Sequence, residues 1–192
     1  MKTVTLIAAA AALLVFSFAS LAGAKTEEAN PRGSTLFGSK GPDQLFGREG
    51  PDTLLGLAGN DYLEASGGSD RVKGGPGNDL VLAGTGDDFV FAGAGADFIY
   101  AGTGADRVAG GGGADTMFGQ AGNDTLLGGE ADDTIYGGEG TDTVIGGAGD
   151  DTIEVRDGER DVVECDSGRD EVMADRFDVL RGCGRPPAAK RR

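Results

Sequence analysis

Histidine is absent from the 192 residues. That removes imidazole general bases, Ser-His-Asp arrangements and His-ligated zinc sites such as H-E-x-x-H. Cysteine is scarce: two residues cannot build a Cys-rich zinc site alone. Basic residues are also short, 17 against 32 acidic ones, and a formal net charge of −15 argues against nucleic acid as a partner. Only one long apolar run exists, near the amino end, and no later stretch could span a membrane. Paired carboxylates could still act as acid and base, but among so many Asp a convenient pair says little. No catalytic module is visible, so the chain is read as not an enzyme.

What is abundant is glycine, 37 residues, without a collagen-like three-residue period. Between residues 38 and 154 an Asp stands at every ninth position: Asp43, Asp52, Asp61, Asp70, Asp79, Asp88, Asp97, Asp106, Asp115, Asp124, Asp133, Asp142 and Asp151. Two residues after each comes an aliphatic or Met side chain, from Leu45 through Met117 to Ile153. Two residues before each comes a Gly, except at Ala131. Thirteen units in unbroken register make repetition the organising fact of the chain. A solvated acidic face would need no such period. Within a unit the aliphatic residue points one way and its neighbours the other, as in a strand. The Gly-rich half must then turn, using glycine's access to positive φ.

Gly74-Gly75-Pro76-Gly77-Asn78-Asp79-Leu80-Val81-Leu82 reads G-G-x-G-x-D-x-U-x in full, as does the unit from Gly146 to Glu154. This resembles the RTX, or haemolysin-type, calcium-binding nonapeptide repeat. The resemblance implies an all-β fold: a right-handed parallel β-roll, a solenoid with two repeats per coil. Alternate Asp residues would then stack in two columns, strands about 4.8 Å apart. Stacked carboxylates repel by roughly 1 kcal/mol per neighbouring pair in water, and a Ca²⁺ ion, which takes six to eight oxygens, reverses that sign. The implied ligands are the thirteen Asp side chains with backbone carbonyls of Gly77, Gly86, Gly95, Gly104, Gly113, Gly122, Gly140 and Gly149. Ions shared between adjacent coils would number up to about eleven.

The copies differ. The second Gly is replaced by Ser39, Arg48, Leu57 and Ser66 in the first four units and by Gln120 later. Lys40 and Arg48 bring positive charge to turns meant for a cation. The tightest sites are therefore expected between Asp79 and Asp115, with weaker ones toward the amino end.

Residues 1–24 have the basic start, apolar run and Ala22-Gly23-Ala24 motif of a cleaved secretory signal, so a secreted, extracellular protein is expected, with no membrane span after cleavage. That departs from the many relatives exported by a carboxy-terminal signal. Residues 25–37 read as a linker and degenerate amino-terminal cap, with Ser34 where Asp would be. Residues 155–183 read as a degenerate carboxy-terminal cap, and 184–192 as a basic, disordered tail. Cys165 and Cys183 stand one implied coil apart, which suggests a disulfide in a secreted chain; an intermolecular bridge is the alternative. Outward positions carry Leu82, Tyr100, Phe118 and Tyr136 on one sheet, and Phe89, Phe91, Leu127 and Ile145 on the other. Same-face ladders that stabilise parallel strands account for such a pattern. The functional reading is a secreted calcium-binding roll that folds around stacked ions, structural or calcium-switched. The alternative is an extracellular adhesion or glycan-binding module using the Tyr100, Phe118 and Tyr136 face.

Overall fold

The computed structural model describes residues 25–183. The expected signal peptide and basic tail lie outside the described residues. Among them every regular element is a strand: β1 (Thr26–Glu28), β2 (Thr35–Phe37), β3 (Gln44–Phe46), β4 (Thr53–Leu55), β5 (Tyr62–Gly67), β6 (Arg71–Pro76), β7 (Leu80–Thr85), β8 (Phe89–Ala94), β9 (Phe98–Thr103), β10 (Arg107–Gly112), β11 (Thr116–Ala121), β12 (Thr125–Glu130), β13 (Thr134–Glu139), β14 (Thr143–Ala148), β15 (Thr152–Glu154), β16 (Val162–Glu164), β17 (Glu171–Met173) and β18 (Val179–Arg181).

Successive strands go to opposite sheets. Odd-numbered strands form one nine-stranded sheet and even-numbered strands the other. Each strand pairs in parallel with the strand two further on, in registers such as Leu45↔Leu63 and Val72↔Val90. That eighteen-residue offset is two nonapeptides, so the all-β roll with two units per coil is what forms.

The core follows from the unit. The aliphatic residue of each strand points between the sheets, and Leu45, Leu63, Val81, Ile99, Met117 and Ile135 are fully buried. Beside this file runs a second one made of the first residue of each unit, which is Gly, or Ala at Ala65, Ala83, Ala92 and Ala101. Among the described residues no larger core holds the sheets together.

The turn before each Asp demands glycine for two reasons. Gly77 has φ +140, and a Cβ there would lie 1.8 Å from the carbonyl oxygen of Gly59 in the preceding coil. Four non-glycine residues at consensus glycine positions keep the left-handed conformation nonetheless: Leu57, Ser66, Gln120 and Ala131, with φ between 77° and 79°. Each carries the Cβ clash that such backbone imposes.

The stack extends beyond the thirteen units at both ends. Residues 25–37, expected as linker and cap, already contain two strands, and β1 pairs β3 with Thr26 opposite Gln44. At the other end one residue is inserted, so β14 pairs β16 through Val144↔Val163. There the first-position file changes from Gly to Val155 and Cys165, both buried, which closes the core with apolar bulk. Cys165 and Cys183 form a disulfide within the chain, Cα atoms 4.9 Å apart.

Candidate metal centre

Each repeat Asp follows the turn and precedes the strand, so its side chain falls between the sheets at the end of the coil. All thirteen are buried, with 1–3% of their surface exposed. Their carboxylates are tied into two ladders. The backbone N–H of Asp79 donates to Oδ1 of Asp97 at 2.7 Å, and Asp97 to Asp115 at 2.8 Å. In the other column Asp88 donates to Asp106, and Asp106 to Asp124, both at 2.8 Å. The ladders start on Lys25 and Ser34, which occupy the Asp position of the first coil and donate their N–H groups to Asp43 and Asp52.

The second oxygen is the chemically open one. Asp79 Oδ2 points back at the first glycine of its own unit: a Cβ on Gly74 would come within 2.2 Å of it. Oδ2 is buried without a hydrogen-bond partner in Asp61, Asp70, Asp79, Asp88, Asp97, Asp106, Asp115, Asp124, Asp133, Asp142, Asp151 and Asp161. A buried carboxylate oxygen left bare costs several kcal/mol by desolvation unless a proton or a cation answers it. Burial accordingly raises these groups: Asp79, Asp88 and Asp115 to about 7, and Asp61, Asp97 and Asp142 to about 6, against an ordinary 3.8. Desolvation dominates, the ladder hydrogen bond opposes it, and at most of these sites neighbouring carboxylates add to it.

Asp43 and Asp52 differ from the rest. The N–H of Ser39 donates to Asp43 Oδ2, and that of Arg48 to Asp52 Oδ2 at 2.9 Å. Neither Ser39 nor Arg48 has the left-handed backbone of Leu57 and Ser66, and the amide of each meets the carboxylate of its own unit. The expectation of weaker amino-terminal sites thus concerns two carboxylates whose Oδ2 is already bonded. The charge argument fails for Arg48, whose guanidinium pairs with Glu28 on the surface instead of entering the turn.

Of the glycines expected to lend carbonyls, Gly77, Gly86, Gly95, Gly104 and Gly122 aim theirs at the matching glycine one coil on. The Gly77 oxygen lies 2.0 Å from where a Gly95 Cβ would be, and that of Gly104 1.6 Å from a Gly122 Cβ. Gly149 does the same toward Gly168. Gly113 faces Ala131 in that register, which carries a real Cβ. Gly140 faces no glycine, because in the nineteen-residue register of Asp142 and Asp161 the matching residue is Glu159. Among the described residues no three acidic or cysteine side chains converge on one point. The physical reason is the ladder: stacked carboxylates sit one strand spacing apart, each with Oδ1 committed to a backbone amide. A cation there would draw on Oδ2 atoms and turn carbonyls together, a hard oxygen donor set of the kind calcium prefers.

Asp161, by its sequence part of the degenerate cap and outside the expected ligand set, belongs to the ladder. It is buried, accepts the N–H of Asp142 at 2.8 Å and has a bare Oδ2. The ten-residue step from Asp151 hid it, though Asp161-x-Val163 keeps the local pattern. Asp170 and Asp178 continue the ladders at 3.0 and 3.1 Å.

The structure is a parallel two-sheet β-roll that buries a half-unanswered carboxylate at most of its turns, from Asp61 to Asp161. The family model of the RTX calcium-binding nonapeptide repeat, a unit of four copies, matches residues 31–63, 46–81, 64–99, 82–117 and 118–153, and the chain belongs to that family. A comparison with curated proteins finds no match.

The outer aromatic ladder is present but not open. Tyr100 and Phe118 stack at 4.8 Å and 11°, Phe118 and Tyr136 at 4.7 Å and 2°. Tyr100 is only 4% exposed, because Phe98 at 5.2 Å and Phe118 cover it. Of the three rings expected there, Tyr100 is covered, while Phe118 and Tyr136 stay half-buried.

Proposed function

We propose that the chain is a secreted calcium-binding module whose roll closes when calcium neutralises its two carboxylate ladders. The observation that carries this reading is the row of buried Asp Oδ2 atoms without partners. The residues that would hold the ions are Asp61 through Asp151, at Oδ2, with turn carbonyls such as those of Gly77, Gly95 and Gly104. Bound calcium supplies positive charge and coordination for oxygens that otherwise stay desolvated and mutually repelling. The chain's own residues supply the rest: the N–H-to-Oδ1 ladder orients every carboxylate, and the small first residue of each unit leaves room beside Oδ2.

Calcium is therefore a folding ligand, and binding free energy appears as stability. A chain whose core is one aliphatic residue per strand lacks the apolar burial to fold readily without it. The role is structural or switch-like: loose where calcium is scarce, rigid where it is plentiful, as outside the cell. Export rests on the amino-terminal signal pattern. The test is far-UV circular dichroism of residues 25–192 with and without millimolar Ca²⁺. Gain of β-signal with calcium and its loss with a chelator are expected; full β-signal in excess chelator would refute the proposal. Amino-terminal sequencing of exported protein tests cleavage after Ala24.

No observation favours the adhesion reading for the Tyr100–Phe118–Tyr136 ladder. Its rings stack on one another, which supports a role in holding the odd-numbered sheet together.

A further inference from the structure

The outer face of the even-numbered sheet is built differently. In register across β6, β8 and β10 stand Arg71↔Phe89↔Arg107, and beside them Lys73↔Phe91↔Ala109. Phe89 is 52% exposed, Phe91 39% and, two strands on, Leu127 40%. No aromatic ring packs against Phe89 or Phe91. Phe89 lies between Arg71 and Arg107, and Phe91 between Lys73 and Ala109, so the ladder explanation that suffices for Tyr100 fails here.

The cations are equally unused. Lys25, Arg48, Arg156, Arg169 and Arg181 each reach a carboxylate. Arg71 and Arg107 reach none among the described residues, and Lys73 only lies over the Phe91 ring, 5.8 Å from its centroid. In a chain with 32 acidic residues, the first and third positions of this sheet's strands, from β4 to β14, hold not one Asp or Glu, and their one acidic residue, Glu130, stands at the far end of β12. An acid-free strip with free cations and bare Phe rings is complementary to an anionic ligand that also has apolar surface.

The strip's shape narrows the ligand. Two outward side chains per strand make it about 7 Å wide, and six strands make it about 24 Å long. A stable protein partner needs about 800 Å² per side, several times this area. Electrostatic docking on an anionic membrane calls for a cluster of about four to eight basic residues, more than stand here. A single extended polymer lying along the roll axis fits. Nucleic acid brings one phosphate per nucleotide to a chain of net charge −15. A polymer of lower charge density suits three cations better.

We infer that the Arg71–Lys73–Phe89–Phe91–Arg107 strip binds a linear acidic polysaccharide. Sugar rings would lay their C–H faces on Phe89 and Phe91, and carboxylate or sulfate groups would meet Arg71, Lys73 and Arg107. This goes beyond the calcium role and depends on it only for a folded roll.

The experiment is affinity electrophoresis of the calcium-loaded residues 25–192 against hyaluronan and unsulfated chondroitin, each with one carboxylate per two sugars. Neutral dextran, oligothymidylate and anionic phospholipid vesicles complete the set. Two double variants, Phe89→Ser/Phe91→Ser and Arg71→Gln/Arg107→Gln, are run beside it. Retardation by at least one acidic polysaccharide and not by dextran is expected, with at least a tenfold loss in each double variant. The first variant keeps every charge, so its loss separates the strip from bridging by bulk calcium. Circular dichroism of the same samples should show an unchanged calcium midpoint; if either pair disturbs folding, the single variants Phe89→Ser and Arg107→Gln take its place. No binding to any acidic polysaccharide, binding that survives both double variants, or binding confined to oligothymidylate or vesicles would overturn the inference. Failure of the wild-type chain to fold in calcium would instead strike the proposed calcium role.

Discussion

The backbone N–H of Asp79 donates to Oδ1 of Asp97, 2.7 Å away in the next coil. Asp97 is thereby held by one coil and, through its own N–H, holds Asp115 in another. A carboxylate that is both guest and host couples three coils. Stability in such a stack is a sum of nearest-neighbour terms, and losing an inner member breaks two of them.

Asp97→Ala should therefore raise the calcium midpoint of folding and broaden the transition. Asp43→Ala should leave the midpoint nearly unchanged, because Asp43 Oδ2 is already answered by the Ser39 N–H and its column begins just above it. The measurement is a calcium titration of both variants by circular dichroism. Equal shifts would mean that the sites act independently.

Glycine substitutions should divide by position. Gly77→Ala places a Cβ 1.8 Å from the Gly59 oxygen at φ +140, and is expected to cost at least about 2 kcal/mol. Gly112→Ala has no positive φ and meets only Glu130 Oε2 at 3.9 Å. It should be neutral or stabilising by up to about 1 kcal/mol. Urea denaturation in saturating calcium checks both, and similar costs would contradict the turn geometry.

The repeat made much of this legible. Asp-x-aliphatic at a nine-residue step fixes strand, turn and the inward face, and Leu45 through Ile153 are buried as that pattern demands. What sequence could not show is which non-glycine residues accept left-handed backbone. Leu57 and Ser66 do, while Ser39 and Arg48 do not, and the amides of those two close off their carboxylates. Nor could residue type reveal that Arg48 turns outward to Glu28, or that one inserted residue leaves Asp161 in the ladder. Tyr100 looked available because alternation reports direction, not what neighbouring rings cover.

The Cys165–Cys183 bridge should anchor the last coil. It closes a loop of eighteen residues, worth about 3 kcal/mol in the chain-entropy model. Replacing both by Ser should expose amides of β16 and β18 to hydrogen exchange while leaving β7 to β11 protected, since the stack frays from its end. Uniform loss of protection along the roll would show that the cap is not a separable unit.

Acid should substitute for calcium in part, and the sign follows from the raised carboxylates. Asp79, Asp88 and Asp115 rise from 3.8 to about 7, and Asp61, Asp70, Asp124 and Asp133 to about 6, mainly through burial. A group with a higher pKa when folded binds its proton more tightly in the fold. Its contribution is full below the unfolded value, near 4, and is lost as pH rises through about 6 to 7. In chelator, β-signal should therefore be greatest near pH 4 and fall toward pH 8. In calcium the direction reverses: protons compete with the ion for Oδ2, so the calcium midpoint should climb as pH drops below 7. Circular dichroism between pH 4 and 8, with chelator and across a calcium series, tests both halves. A calcium-free chain more ordered at pH 8 than at pH 4 would show that the bare oxygens are not what opposes folding.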